Sequence, residues 1–332
     1  MPTLGVAGGT SPSLGRAIVT ALLSAPHGSR WNIVVLSRSV HKPLWLRAVD
    51  PDGFRTEIRA VDYLSQDSLI PALKDVHTLI SRGARGLPPP SGGFGPTGWE
   101  MVPATAATVA GVWDECMKFK DSIECTRFNH GCFMNYLGHG IYSPLSDSAR
   151  GSEEEQLRRL REGNGYAKGE DEACEGLQRN GNFKDGSGAF LLSMRNGTAE
   201  LPQRADGQWP LITLTTMKDI GRFVAQALEL PKWGSSMTMV GETLTMGELL
   251  AHAEAVAKRK FDVKVLKRRE LERQISSIEA GDYMQWLWAE LQLAYCKDLP
   301  DVGYVEPVAN RMCPEVKPTS VREYLEKFSR GS

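Results

Sequence analysis

The chain has 332 residues, 41% of them hydrophobic and 24% charged, with a formal net charge of −1; that is room for one large α/β domain, or a domain with a smaller second lobe, around a sizeable core. With charge so nearly balanced and no long basic block, neither nucleic acid nor an anionic membrane surface is an expected partner. The six cysteines (Cys116, Cys125, Cys132, Cys174, Cys296, Cys313) lack C-x-x-C spacing, no signal peptide precedes the first strand, and no apolar run is long enough to span a bilayer, so reduced thiols, a cytoplasmic location and no metal site are expected.

The opening, Gly5-Val6-Ala7-Gly8-Gly9-Thr10-Ser11-Pro12-Ser13-Leu14-Gly15-Arg16, runs from an apolar stretch into a helical pattern (Ala17, Ile18, Ala21, Leu22). Strand, glycine-rich turn and helix together offer backbone N–H groups and a positive helix end to a phosphate. The spacing departs from G-x-G-x-x-G because Ser11 and Pro12 lengthen the turn, but its place at the first βα junction fits a dinucleotide fingerprint. Gly8, Thr10, Ser11, Ser13, Leu14 and Gly15 are the candidate cofactor contacts, with Gly15 letting the helix pack close to the strand.

A second strand, Trp31 to Leu36, ends in Ser37-Arg38-Ser39. NAD-preferring proteins place a carboxylate at this strand end; here stands Arg38, whose forked cation suits a ribose 2′-phosphate, so NADP(H) is the expected cofactor. The alternative for Arg38 is a solvated surface arginine. A third strand over 57–61 leads to Asp62-Tyr63, a helix from Ser65 (as N-cap) to Lys74, and a fourth strand from Val76 to Ser81. Asp62 is a candidate acceptor for the adenine amino group, or simply a turn former.

Residues 82–93 then break the pattern with three consecutive prolines between glycines, which shortens the crossover after the fourth strand to a proline loop feeding Phe94-Gly95-Pro96-Thr97. A helix is expected from Ala104, carrying Val109, Val112, Trp113 and Cys116, then a strand from Ile123 to Phe128 followed by Asn129-His130-Gly131-Cys132-Phe133-Met134-Asn135-Tyr136. The charged, glycine-rich stretch 148–188, with an exposed helix over 153–161, reads as a mobile insertion or lid. Beyond it come a strand at 211–214, a helix from Met217 to Leu230, a strand at 237–240 and a helix opened by the capping box Thr245/Glu248. A strand from Phe261 to Leu266, a largely helical stretch 268–297 with the stripe Tyr283, Trp286, Leu287, Leu291 and Tyr295, and a last helix from Ser320 complete the chain.

These pieces together resemble the NmrA-like, isoflavone-reductase-like branch of the atypical short-chain dehydrogenases, in its fungal form. The resemblance rests on the turn 8–16, Leu36-Ser37-Arg38, Val61-Asp62-Tyr63, the strand 76–81, Glu124 to Tyr136, Asp219 to Ala225 and Val240-Gly241-Glu242-Thr243, in the family's order and over nearly the whole chain. It implies an α/β fold: a Rossmann-type doubly wound parallel sheet at 1–147, rejoined by 211–241, with the insertion at 148–210 and a smaller C-terminal substrate lobe at 242–332. It also implies reduction of a small organic molecule by NADP(H), often in secondary metabolism, with Ser81, Pro96 and Thr97 beside the nicotinamide.

The chain departs from the family at two places. Only the proline loop separates Ser81 from Pro96-Thr97, and the lysine that the family's reductases carry is missing, since no lysine lies between Lys74 and Lys118. A developing alkoxide would then need another proton donor. His130 and Tyr136 are the available acids, against a structural role for the histidine; Phe128, Phe133 and Tyr136 are expected to line the substrate site. Thr97 is equally a backbone cap, and Cys132 a small buried hydrophobe. The sequence therefore points to an NADPH-dependent reductase. The alternatives are a non-catalytic NADP(H) sensor acting through a protein partner and a degenerate paralogue.

Overall fold

Short apolar runs alternating with helical stretches build the N-terminal sheet of this computed structural model, which describes residues 1–26, 30–81, 111, 113–138, 151–167, 191–279, 283–297 and 302–329. The described residues fall into two units. The first comprises 1–26, 30–81, 151–167 and 220–229; the second holds the rest.

In the first unit β1 (Thr3–Ala7), β2 (Asn32–Ser37), β3 (Thr56–Ala60) and β4 (Thr78–Ile80) form one parallel sheet in the order β3-β2-β1-β4. Gly5 of β1 pairs with Val34 on one side and Leu79 on the other. As an inner strand β1 is buried throughout, which suits its small and apolar residues from Leu4 to Ala7. This order is one half of a doubly wound sheet, in which ligands bind beyond the carboxyl ends of the strands. The connecting helices are α1 (Leu14–Ser24), α2 (Leu44–Val49) and α3 (Gln66–Leu73). Ser65 caps α3 as expected, accepting from the Ser68 amide. Ala7, Val34, Leu36, Val61 and Ala72 form a core cluster, with Leu69 and Leu73 packed against it.

Helix α4 (Glu153–Glu162) is capped by Ser152, starts with three glutamates and ends with Arg159 and Arg161, so its charges complement the helix dipole. None of its residues is buried. The anchor of this segment follows it: the Arg16 guanidinium, itself buried in α1, donates from Nε to the Gly165 carbonyl at 2.8 Å and lies 4.2 Å from the Tyr166 ring centroid. The later part of α5 (Met217–Ala227), from Ile220 on, also belongs to the first unit and buries Ile220, Phe223 and Val224.

The second unit holds β5 (Arg127–His130), β6 (Cys132–Phe133) and a 3-10 turn over Met134–Gly138. Its other strands are β7 (Leu192–Ser193), β8 (Thr198–Pro202), β9 (Leu211–Thr215), β10 (Ser236–Met239), β11 (Glu242–Thr245) and β12 (Asp262–Leu266). They assemble as β10-β5, β11-β9-β6 and β12-β8-β7. Among the described residues its helices include α6 (Met246–Ala257), α7 (Arg268–Ser277), α8 (Tyr283–Tyr295), α9 (Val308–Met312) and α10 (Val321–Ser329). The Thr245/Glu248 capping box forms in full, with Thr245 accepting from the Glu248 amide and Glu248 accepting from the Thr245 amide.

The strand expected at 123–128 begins only at Arg127, so His130 ends a strand instead of following one. The reason is local. The Ile123 amide closes a turn onto the Phe119 carbonyl at 2.9 Å, and pairing with the neighbouring strand starts where the Arg127 amide reaches Ser235. The proline loop 82–93, Pro96, Thr97, most of the helix expected from Ala104, and residues 168–190 of the insertion lie outside the described residues. Among the described residues no helix is long and apolar enough to cross a membrane, and no group of three or more His, Cys, Asp or Glu side chains is placed to hold a metal ion.

Candidate functional site

The first constellation lies at the carboxyl end of β1. Gly8 has φ +69°, which opens the turn at a conformation that L side chains rarely adopt. Gly15 touches the main chain so closely that a Cβ there would collide with the Gly8 carbonyl oxygen and approach Gly9 Cα to 3.1 Å. That contact seats the start of α1 against the strand, as the sequence predicts for this glycine. Ser13 makes no side-chain cap to α1, so the first helix amides, with Leu14 and Gly15 at their head, are presented without a hydroxyl over them.

Hydroxyls rim the turn. Thr10 Oγ1 and Ser37 Oγ are 2.9 Å apart, joining the turn to the end of β2, and Ser11 Oγ and Ser13 Oγ are 2.9 Å apart. The Tyr63 hydroxyl accepts from the Gly8 amide at 2.8 Å and donates to the Leu36 carbonyl at 2.7 Å. Tyr63 thus ties the ends of β1 and β2 together, a role that nothing in the local sequence Val61-Asp62-Tyr63 marks. Arg38 follows Ser37 directly and is exposed, so a cation stands at the β2 end with its side chain open to solvent. Lys42, by contrast, turns away to the Asp50 carbonyl and carboxylate. Asp62 uses Oδ1 to close a turn onto the Leu64 amide at 2.9 Å. Ser81 lies just beyond β4.

The second constellation lies in the second unit. β5 carries Phe128 and His130, and β6 with the 3-10 turn carries Phe133 and Tyr136. His130 stacks on Phe133 with centroids 4.5 Å apart, and Phe133 meets Tyr136 at 6.1 Å. Tyr136 is buried and meets the Trp288 ring edge-on at 5.3 Å. The structure therefore brings His130, Phe133 and Tyr136 together, and adds Trp288 from α8. The stripe read in the sequence omits Trp288, although it lies three positions before Leu291 and seven before Tyr295, at same-face helical spacing.

Burial moves His130, Cys132 and Tyr295 away from neutrality. Burial lowers the His130 pKa to about 4, opposed by the bond between Nδ1 and the Gly131 carbonyl at 2.7 Å. Cys132 is pushed up to about 11 by burial, although its bond to Tyr295 pulls the other way. Tyr295 is raised well above its ordinary value by burial and then by Cys132.

Several solved structures share this fold over nearly their whole length. An isoflavone reductase matches with a TM-score of 0.56 at 17% identity, covering 98% of this chain and 99% of that one. Leucoanthocyanidin reductase from Vitis vinifera, in a binary complex with NADPH, matches with a TM-score of 0.54 at 15% identity, covering 99% of each chain. Triphenylmethane reductase from Citrobacter sp., complexed with NADP(H), matches with a TM-score of 0.54 at 14% identity, covering 98% of this chain and 99% of that one. No protein-family model and no curated protein matches the sequence. The likenesses establish an α/β fold of the isoflavone-reductase type, with the parallel sheet that the sequence predicts.

Proposed function

We propose that this chain is an NADP(H)-dependent reductase of a small organic molecule, aromatic or polyketide-like, built on the NmrA-like plan and acting in the cytoplasm. The observation that carries this reading is the turn after β1, where the Gly15–Gly8 contact leaves no room for a Cβ. A turn of that shape brings main-chain amides to a pyrophosphate at the helix end. Gly8, Thr10, Ser11, Ser13, Leu14 and Gly15 would hold the pyrophosphate, Arg38 the 2′-phosphate and Asp62 the adenine, with Ser81, Pro96 and Thr97 toward the nicotinamide. The bound nucleotide would supply a hydride.

Phe128, Phe133 and Tyr136 would shape the substrate's surroundings and exclude water. Between the two candidate acids, Tyr136 is favoured. His130 is neutral at pH 7 because its pKa is lowered to about 4, and a neutral imidazole is a poor acid. Tyr136 brings a hydroxyl proton into an apolar setting made by Phe133 and Trp288.

A second reading, a non-catalytic NADP(H) sensor acting through a protein partner, draws on one specific observation. His130, Cys132 and Tyr295 are all shifted away from the range that a general acid needs, and no lysine stands between Lys74 and Lys118 to replace them. Following NADPH oxidation with aromatic ketones, enones and quinones separates the two. Turnover well above background that falls in Tyr136→Phe supports the reductase. Tight NADPH binding with no oxidation across such a panel selects the sensor, and binding of neither nucleotide selects a degenerate paralogue.

A further inference from the structure

The main chain beside His130 is locked. Gly131 packs directly on β9, where a Cβ would collide with the Thr213 carbonyl oxygen, and the next residues pair with that strand, Cys132 beside Leu214 and Phe133 beside Thr215. The Gly131 carbonyl is therefore fixed in place, and His130 Nδ1 lies 2.7 Å from its oxygen. A carbonyl oxygen only accepts, so Nδ1 carries the ring proton and donates it. The other nitrogen of the neutral ring, Nε2, is then a bare lone pair. With the pKa lowered to about 4, this tautomer holds throughout the neutral range.

The surroundings of the ring are apolar. His130 stacks on Phe133 with centroids 4.5 Å apart and planes inclined by 29°. Across the β5–β10 pairing it lies beside Met239, with Phe128 beside Met237, and both methionines are buried. Among the described residues no group donates to Nε2. The nitrogen is not sealed either: His130 is half-buried, and Nε2 is not one of the buried side-chain atoms that lack a partner. An oriented acceptor with access from outside thus stands against an aromatic ring, which is how ligand sites combine apolar walls with one placed polar group.

We propose that His130 Nε2 is a specificity-determining acceptor that takes a hydrogen bond from a hydroxyl group on a flat, neutral ligand whose ring packs beside Phe133. The inference rests on the reading of this cluster as the substrate's surroundings. It gives His130 a part distinct from proton donation: so weakly basic an imidazole leaves the proton on the ligand's oxygen and only holds it. A ligand whose hydroxyl is methylated has no donor to offer, leaves Nε2 unpaired and is selected against.

The test measures binding by calorimetry on the full chain, with and without NADP+, using 2-naphthol and its methyl ether as probes. Naphthol should bind tighter than the ether by roughly tenfold to a hundredfold. His130→Phe keeps a ring on Phe133 and removes the nitrogen, so naphthol should fall to the level of the ether while the ether is unaffected. A second readout needs no variant: nitrogen-15 spectra of the histidine-labelled chain should show His130 protonated at Nδ1, with Nε2 shifted by naphthol and not by the ether. The proposal is overturned if neither probe binds, if both bind equally, if the preference survives in His130→Phe, or if the ring proton sits on Nε2. NADPH oxidation, followed separately, judges the reductase reading. A naphthol preference without oxidation of NADPH by any carbonyl compound keeps the acceptor and gives up the reductase; oxidation without the preference does the reverse.

Discussion

Between Gly8 and Gly15 the working groups are backbone amides and small hydroxyls; between His130 and Tyr136 they are aromatic rings packed on one another. The turn is defined by what is missing, a Cβ at Gly15, and its geometry follows from the strand-to-helix junction. The aromatic segment is defined by burial, which sets its chemistry by moving His130 and Cys132 far from neutral pH. A ligand site made of main chain depends little on protonation, whereas one made of buried side chains is tuned or silenced by it. On the proposed reading, nucleotide binding belongs to the turn and proton donation to the cluster, with Tyr136 as the favoured source.

The largest effect is expected where the turn has no slack. Gly15→Ala should drive a methyl group into the Gly8 carbonyl, costing ~1–3 kcal/mol of stability and removing NADPH binding altogether. A thermal melt alongside a nucleotide titration checks both. Next in size is Arg38→Asp, which on the proposed reading would remove a charge-assisted contact to the 2′-phosphate of ~1.5–3 kcal/mol. NADPH affinity should fall roughly tenfold to a hundredfold while NADH affinity barely moves. Equal weakening of both would return Arg38 to the solvated surface.

A third prediction concerns pH and the cluster. His130 has a pKa of about 4 in the folded chain against its ordinary 6.5, so the unfolded chain binds the extra proton in that interval. Stability is therefore undiminished above pH 6.5 and falls as pH drops toward 4, by roughly 1 kcal/mol or more. His130→Gln should flatten that slope in urea melts recorded across the interval; an unchanged slope would mean that His130 is solvated and titrates normally. The smallest effect belongs to Tyr63→Phe, which leaves the Gly8 amide its bond to Leu36 and deletes the hydroxyl bridge, at ~0.5–1.5 kcal/mol. Its expected signature is a modest loss of NADPH affinity with little change in melting temperature.

What the sequence made legible was local. The turn after β1, the Ser65 cap and the Thr245/Glu248 box each depend on residues a few positions apart, and all three stand as predicted. Elements created by distant partners were opaque. β8 reads as an undistinguished Thr-Ala-Glu-Leu-Pro and becomes a strand by pairing with β12, Ala199 beside Val263, more than sixty residues on. Glu242 to Thr245 reads as a turn into a helix, yet it pairs antiparallel with β9. Arg16 looks like the tail of the glycine motif, and nothing local reveals that its guanidinium holds Gly165 and Tyr166. In the candidate site, chain order exposed His130, Phe133 and Tyr136, but not Trp288, nor the burial that leaves His130 neutral.

The central claim, that the turn after β1 with Arg38 holds NADP(H), is tested most directly by titrating the purified chain with NADPH and with NADH while following nucleotide fluorescence. The account predicts micromolar binding of NADPH and clearly weaker binding of NADH. Binding of neither nucleotide, or a preference for NADH, would contradict it.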